Sequence, residues 1–282
     1  MKNFKPMLAH VYKDDSQIDW SQPVYMQPKL DGVRCVFTKD GAFSRTGKRF
    51  MNVKHIELEL QGLFKQQPHL ILDGELYNHK LKNDFEKIIS LVRKQKPTDT
   101  DRLDAQHLVQ FHVYDYTGQK PNLLENLKYK GRQDNLTCSD IYCPSICYTD
   151  TKRVATPAMI KVLHDKWLDM GYEGSIIRLN GEYEQKRSKN LLKVKDFSDS
   201  EAKITGFVEG KGKRIGTIGK FIAVDSQGMQ FGMPVMDKFK YLQDNFKEMQ
   251  TWIGKIATFT YFEKTKRGSY RHPLFKAIRN YE

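Results

Sequence analysis

Gln27-Pro28-Lys29-Leu30-Asp31-Gly32-Val33-Arg34 decides how this chain is read, because it sets a lysine just ahead of an Asp-Gly turn with an arginine beyond it. A lysine so placed can act as a nucleophile toward a phosphate. By itself the pattern is short. Asp-Gly is the commonest kind of tight turn, and a chain with 47 Lys and Arg puts basic residues beside many turns. An exposed hairpin corner is the plain alternative, and partner motifs further along must decide between the two.

Around this stretch, strands and helices alternate. Val33 to Phe37, the Asp40-Gly41 turn and Ala42 to Thr46 read as a β-hairpin. Ile56, Leu60, Leu63 and Phe64 recur at helical spacing, as do Phe85, Ile88, Ile89 and Val92. Thr156-Pro157 opens another helix that Gly171 stops. Strands fit Leu70 to Tyr77, Gln110 to Tyr116, Gly174 to Leu179 and Leu191 to Lys195. After Asp196-Phe197-Ser198-Asp199-Ser200 the character changes to about five short strands and one helix carrying Phe239, Leu242, Phe246 and Met249. That count suits an OB-fold β-barrel. The expected fold class is therefore α+β: a domain of antiparallel sheets with flanking helices over residues 1–197, then a small OB-fold over 198–282.

Side chains two apart on a strand share a face. Asp73 and Glu75 therefore project together from an apolar run, where two carboxylates are costly unless they bind something. Lys193 and Lys195 repeat the arrangement with positive charge, and Glu173 sits between a helix end and a strand. One such pair is ordinarily a solvated face; several on one chain point to a site. A lysine is almost wholly protonated near neutral pH, so a nucleophilic amine needs positive charge nearby to favour its neutral form. Lys193, Lys195, Arg34 and a cation held by Glu173 and Asp73 would supply that charge and stabilise a reacting phosphoryl group. Hard oxygen ligands point to Mg²⁺, or Mn²⁺ in its place. His112, Tyr114 and Tyr116 alternate onto one face, where a ring could stack on a nucleobase or simply pack in the core.

The order of these motifs resembles that of the covalent nucleotidyltransferases. The series runs Lys29-Leu30-Asp31-Gly32-Val33-Arg34, Ser44-Arg45-Thr46-Gly47, Asp73-Gly74-Glu75, Tyr114-Asp115-Tyr116, Glu173-Gly174-Ser175-Ile176-Ile177-Arg178 and Leu192-Lys193-Val194-Lys195. Within that superfamily the chain is similar to the small ATP-dependent DNA ligases of viruses, phages and bacteria. Ser44-Arg45-Thr46-Gly47 and Tyr270-Arg271-His272-Pro273 are closer to DNA ligases than to capping enzymes or RNA ligases.

The resemblance implies a nucleotidyltransferase (adenylation) domain and a role for each matching residue. Lys29 would attack the α-phosphate of ATP and carry AMP. Gln27 would contact the adenine edge, Tyr114 would stack on the base, and Glu75 would hold the ribose. Lys193 and Lys195 would grip the α-phosphate, with Arg34 serving both nucleotide and nick and Glu173 and Asp73 on the metal side. Ser44 and Arg45 would receive the 5′-phosphate of nicked duplex DNA, and Arg271 would orient the β- and γ-phosphates in the first step. It also implies a lid-type swing of the second domain about residues 196–200. Only 28 residues precede Lys29, so no amino-terminal DNA-binding domain is expected, and the stretch where some viral relatives carry a DNA latch is only Glu209 to Gly216. In that short loop Lys211, Lys213 and Arg214 are expected to touch DNA phosphates.

Composition narrows the alternatives. A net charge of +13 favours a polyanionic partner, and no apolar run or leader-like start points to a membrane, so a cytoplasmic monomer is expected. Cys138, Cys143 and Cys147 have spacings a zinc site tolerates, but no Cys-x-x-Cys is present, and reduced structural cysteines fit better. An RNA ligase or GTP-dependent capping enzyme would share the lysine and phosphate logic. A non-catalytic OB-type nucleic-acid-binding protein would need none of these charged pairs.

Overall fold

In the computed structural model, the Asp31-Gly32 turn joins strands of two different sheets, so it is not a hairpin corner. The structure describes residues 4–118, 127–137, 143–265 and 268–279. The chain divides into two compact units, Met1–Val194 and Lys195–Glu282.

The first unit begins with β1 (Leu8–Val11), β2 (Val24–Lys29), β3 (Val33–Thr38) and β4 (Gly41–Ser44), then α1 (Lys54–Glu59), α2 (Gln61–Gln66) and β5 (Leu70–Tyr77). It continues through α3 (Phe85–Val92), α4 (Asp99–Leu108), β6 (Gln110–Gly118), α5 (Tyr129–Thr137), β7 (Ile146–Tyr148) and β8 (Lys152–Val154). It ends with α6 (Pro157–Asp169), β9 (Gly174–Leu179) and β10 (Arg187–Val194). The strands form two five-stranded sheets, ordered β1-β10-β9-β2-β8 and β4-β3-β5-β6-β7. Pairing is antiparallel except for β1 with β10 and β6 with β7. The expected α+β domain of antiparallel sheets with flanking helices is present.

Two apolar clusters fix the sheets. Met26, Ile177 and Leu192 pack with Ile160 and Trp167 of α6 against the first sheet. Phe37, Leu76 and Phe111 pack with Ile56, Leu60 and Ile88 against the second. Each such buried side chain stabilises the fold by roughly 1.5–3 kcal/mol before entropy is counted. The chain crosses from one sheet to the other at Gly32, where a Cβ would lie 2.4 Å from the carbonyl oxygen of Leu76. Only glycine lets the backbone pass so close.

The β5–β6 ladder slips by one residue. Asp73 pairs with Asp115 but Gly74 pairs with Val113, leaving Tyr114 as the extra residue of a bulge. Val113 and Tyr116 consequently both enter the core. The expected shared face of His112, Tyr114 and Tyr116 is therefore broken, because a bulge inverts the alternation beyond it.

The second unit holds β11 (Ser198–Glu209), β12 (Ile218–Val224), β13 (Gln230–Pro234), α7 (Phe239–Asp244), α8 (Phe246–Gln250), β14 (Ile256–Tyr261) and β15 (Leu274–Ile278). The five expected strands are there, the one expected helix is split at Asn245 into α7 and α8, and the OB-fold barrel is absent. The strands form one open antiparallel sheet, ordered β13-β12-β11-β14-β15, whose end strands do not pair. Closing a barrel requires a hydrogen-bonded seam between those strands. β13 is only five residues long and ends in Pro234, which has no N–H to give. Its apolar face is filled by Leu242 of α7 and Met249 of α8, which join Phe221, Met233 and Phe259.

Among the described residues, no group of three or more His, Cys, Asp or Glu could hold a metal ion. Cys35, Cys143 and Cys147 are free thiols, while Cys138 lies outside the described residues. Among those residues, too, no helix is long and apolar enough to cross a membrane.

Candidate active site

Tyr25, Gln27 and Lys29 share one face of β2. Antiparallel pairing with β9 sets Lys29 opposite Gly174, and the Glu173 N–H donates to the Lys29 carbonyl at 3.0 Å. That register delivers the Glu173 carboxylate to the Lys29 ammonium, and the two form an ion pair. Glu173 is almost wholly buried and Lys29 is 22% exposed. Gly174 has φ +146°, and a Cβ there would meet the Val194 carbonyl oxygen at 2.4 Å. A larger residue would push the Glu173 turn away from β10.

Lys29 of this pair lines a cleft of about 290 Å³ whose polar lining also includes Gln27, Arg34, Glu75, Tyr114, Arg178 and Lys193. Ile176 and Leu191 give it an apolar side, and Arg45 reaches it from beyond β4. Two other depressions, of about 330 and 400 Å³, bring together no comparable set. Burial pushes the Glu75 carboxyl up to about 8, against the opposing charges of Lys29 and Arg34. Burial also holds the Tyr114 phenol well above its ordinary value, so it stays a neutral ring. The guanidinium groups of Arg34 and Arg178 lie 5.6 and 5.1 Å from its centre, within cation–π range.

Asp73 points to Arg34. The Arg34 Nε donates to Oδ1 at 3.0 Å and Nη2 to Oδ2 at 2.5 Å, while the Tyr183 hydroxyl adds a bond to Oδ2 at 2.6 Å. Both carboxylate oxygens are thus engaged by a bidentate arginine. Mg²⁺ takes one or two carboxylates and completes its shell with phosphate oxygens and water. Glu173, paired with Lys29, and Asp73, paired with Arg34, are the two carboxylates of the site from which such an ion could draw a ligand.

The remaining expected residues are Ser44 of the first unit and Lys195, Lys211, Lys213, Arg214 and Arg271 of the second. Ser44 ends β4, and its Oγ accepts from the Lys48 N–H at 3.0 Å in a tight turn. Lys195 follows the end of β10 and opens the second unit, its Nζ 4.6 Å from the centre of the Phe262 ring. Within that unit Arg271 pairs with Glu263 and lies 5.7 Å from the same ring. Lys211 precedes the short turn Gly212–Arg214, which holds Lys213 and Arg214.

Sequence reasoning missed the buried polar layer under the cleft. Asp115 accepts from Arg132 at 2.7 and 3.1 Å and from Arg178 at 2.8 Å. Arg178 in turn donates through Nε to Gln27 Oε1 at 2.6 Å. The motif residues Asp115 and Arg178 were visible in the sequence, but their meeting depends on the bulge at Tyr114.

A lysine paired with a carboxylate at a cationic, aromatic cleft between two sheets is the arrangement of a nucleotidyltransferase. The chain matches the ATP dependent DNA ligase domain over residues 6–195, and it belongs to the ATP-dependent DNA ligase family. It is an enzyme of that class, with the DNA-joining adenylation chemistry the family uses. It is 25% identical over 276 residues to a DNA ligase of Haemophilus influenzae, covering 95% of this chain and 90% of that one. It is 26% identical to the DNA ligase of Enterobacteria phage T6, where it matches 65% of its own length and spans about half (46%) of the relative. A solved Lig E DNA ligase shares its fold at a TM-score of 0.76 with 22% identity, covering 97% of this chain and 99% of the other. The bacteriophage T7 ligase solved with ATP does so at 0.57 with 17% identity and 98% of each chain.

Proposed function

We propose that the cleft transfers AMP from ATP to Lys29 and then to the 5′-phosphate of a nick in duplex DNA, from which the 3′-hydroxyl displaces it. The observation that carries this reading is the Lys29–Glu173 pair set beside Glu75, Arg34, Tyr114 and Lys193. Lys29 Nζ gives up a proton to solvent and uses the freed electron pair to attack the α-phosphorus. The bond to the β-phosphate oxygen breaks and pyrophosphate leaves. Tyr114 stacks on the base, Gln27 meets its edge, Glu75 holds the ribose, and Lys193, with Lys195, neutralises the α-phosphate. Glu173 would hold Mg²⁺, which would supply charge neutralisation on the reacting group. Arg34, held by Asp73, serves the nucleotide and the nick, and Ser44 and Arg45 receive the 5′-phosphate.

The test is label transfer. Incubation with α-phosphate-labelled ATP, then denaturing electrophoresis, is expected to mark the protein, whereas labelled GTP leaves it unmarked. Lys29→Ala is expected to abolish both the label and overall joining. Label on the alanine variant would overturn the assignment. Arg271→Ala is expected to impair adenylylation while sparing closure of pre-adenylylated nicks, and equal loss in both assays would remove Arg271 from the first step.

A further inference from the structure

Gln27 has to present one particular edge of its amide to a base, and nothing in the β2 backbone decides which. Two obligate partners on the amide's two ends do. Arg178 Nε can only donate, so the atom it meets at 2.6 Å is the amide oxygen. The Tyr114 carbonyl can only accept, so the atom 3.3 Å from it is the amide nitrogen. The Nε2 group also donates to Thr151 Oγ1 at 2.8 Å and to the Tyr129 hydroxyl at 3.0 Å. Three acceptors therefore surround its two hydrogens. The oxygen accepts one bond, from Arg178, and keeps a second lone pair for the cleft it helps to line.

We infer that Arg178, anchored by Asp115, is the positioning residue that locks Gln27 as an acceptor-only reader and so selects a nucleobase with an exocyclic amine at position 6 over one with a carbonyl. The inference rests on the proposed placing of the base at Gln27 and Tyr114. Adenine offers N6–H to the free lone pair, whereas a 6-oxo purine sets oxygen against oxygen. A buried acceptor facing another acceptor goes unsatisfied, which makes polar pockets of this kind selective. The lock is itself rigid. Arg178 is gripped by Asp115 at 2.8 Å and lies 5.0 Å from the Tyr129 ring, and Gln27 is only 2% exposed. Removing Arg178 does not orphan Asp115, because Arg132 still holds both carboxylate oxygens.

The experiment compares label transfer to Lys29 from α-labelled ATP and inosine triphosphate, whose base differs at the 6-position and the proton on N1. The wild-type protein is expected to favour ATP by about a hundredfold or more in kcat/KM. Gln27→Glu, which keeps an acceptor there and adds no donor, is expected to retain that preference within about tenfold. Arg178→Leu leaves only the longer 3.3 Å contact with the Tyr114 carbonyl to fix the amide, so the ratio is expected to fall at least about tenfold. The inference is overturned if Arg178→Leu slows both nucleotides equally, which is what a merely structural arginine would do. It is also overturned if Gln27→Glu loses the preference, which would mean that Nε2 reads the base; this arm holds even where Arg178→Leu does not fold. A wild-type protein labelled by neither nucleotide would instead overturn the Lys29 reading, and this inference with it.

Discussion

Lys29 meets a carboxylate where the sequence leads one to expect mainly cations. Lys193 does line the same cleft, but the direct partner is Glu173, so the ammonium must lose its proton before it attacks. Residue types at motif spacing disclose which groups take part. They do not disclose pairings, because a pairing depends on strand register. Asp73 illustrates the gap: the sequence offers it as a metal ligand beside Glu75, and the fold shows it bonded to Arg34, a pairing the spacing did not disclose. The two roles predict different behaviour for Asp73→Asn. An anchor's loss leaves a largely buried guanidinium short of its counter-charge, at a cost of about 3–5 kcal/mol, with an unchanged Mg²⁺ requirement. The midpoint of thermal unfolding should drop while the Mg²⁺ concentration for half-maximal labelling stays in place. A several-fold rise in that concentration would restore Asp73 to the metal.

Most elements of the first unit are legible from apolar period, and the Phe85 and Pro157 helices form as their spacing predicts. β2 is not legible as a strand, because its Gln-Pro-Lys end breaks the apolar alternation. The β6 bulge is invisible because an extra residue leaves no mark on composition. That strand nevertheless makes a testable prediction through His112, whose ring centre lies 5.3 Å from that of Tyr77. Burial, aided by the charge of His79, lowers its pKa to about 4, so the folded state keeps it neutral where the unfolded chain, near 6.5, binds a proton. The unfolded state therefore holds more protons between about pH 6.5 and 4, and stability falls as pH is lowered through that window. The contribution is on the order of 2 kcal/mol after allowance for partial exposure. His112→Gln should flatten the loss, measured as the urea midpoint at about pH 7, 5.5 and 4.5; an unchanged slope would mean that other groups carry the acid sensitivity.

At the scale of the whole molecule, the count of strands is readable and their closure is not. Five strands and a helix fit a barrel or an open sheet equally, and hydrogen bonding between end strands, which lie about 40 residues apart in the chain, separates the two. Charge is the more reliable guide. Residues 195–282 carry 16 Lys and Arg against 10 Asp and Glu, a net +6 of the chain's +13 in less than a third of its length. Within that unit the Lys211–Arg214 turn concentrates three cations over four residues, on a 3₁₀ turn with no buried side chain. Such groups have little role in folding, so their charge can be removed without disturbing the sheet. If they meet phosphates, each releases about one counterion, and the slope of log affinity against log salt falls by about 0.9 for every phosphate no longer neutralised. Replacing Lys211, Lys213 and Arg214 together with Gln should then reduce the slope for nicked-duplex binding by about 2–3, measured between about 50 and 200 mM salt. Labelling of Lys29 by ATP should remain near wild type, since the substitutions leave the cleft untouched. A variant that binds less tightly at every salt with an unchanged slope would show that the turn supports the fold of its unit and does not contact the DNA backbone.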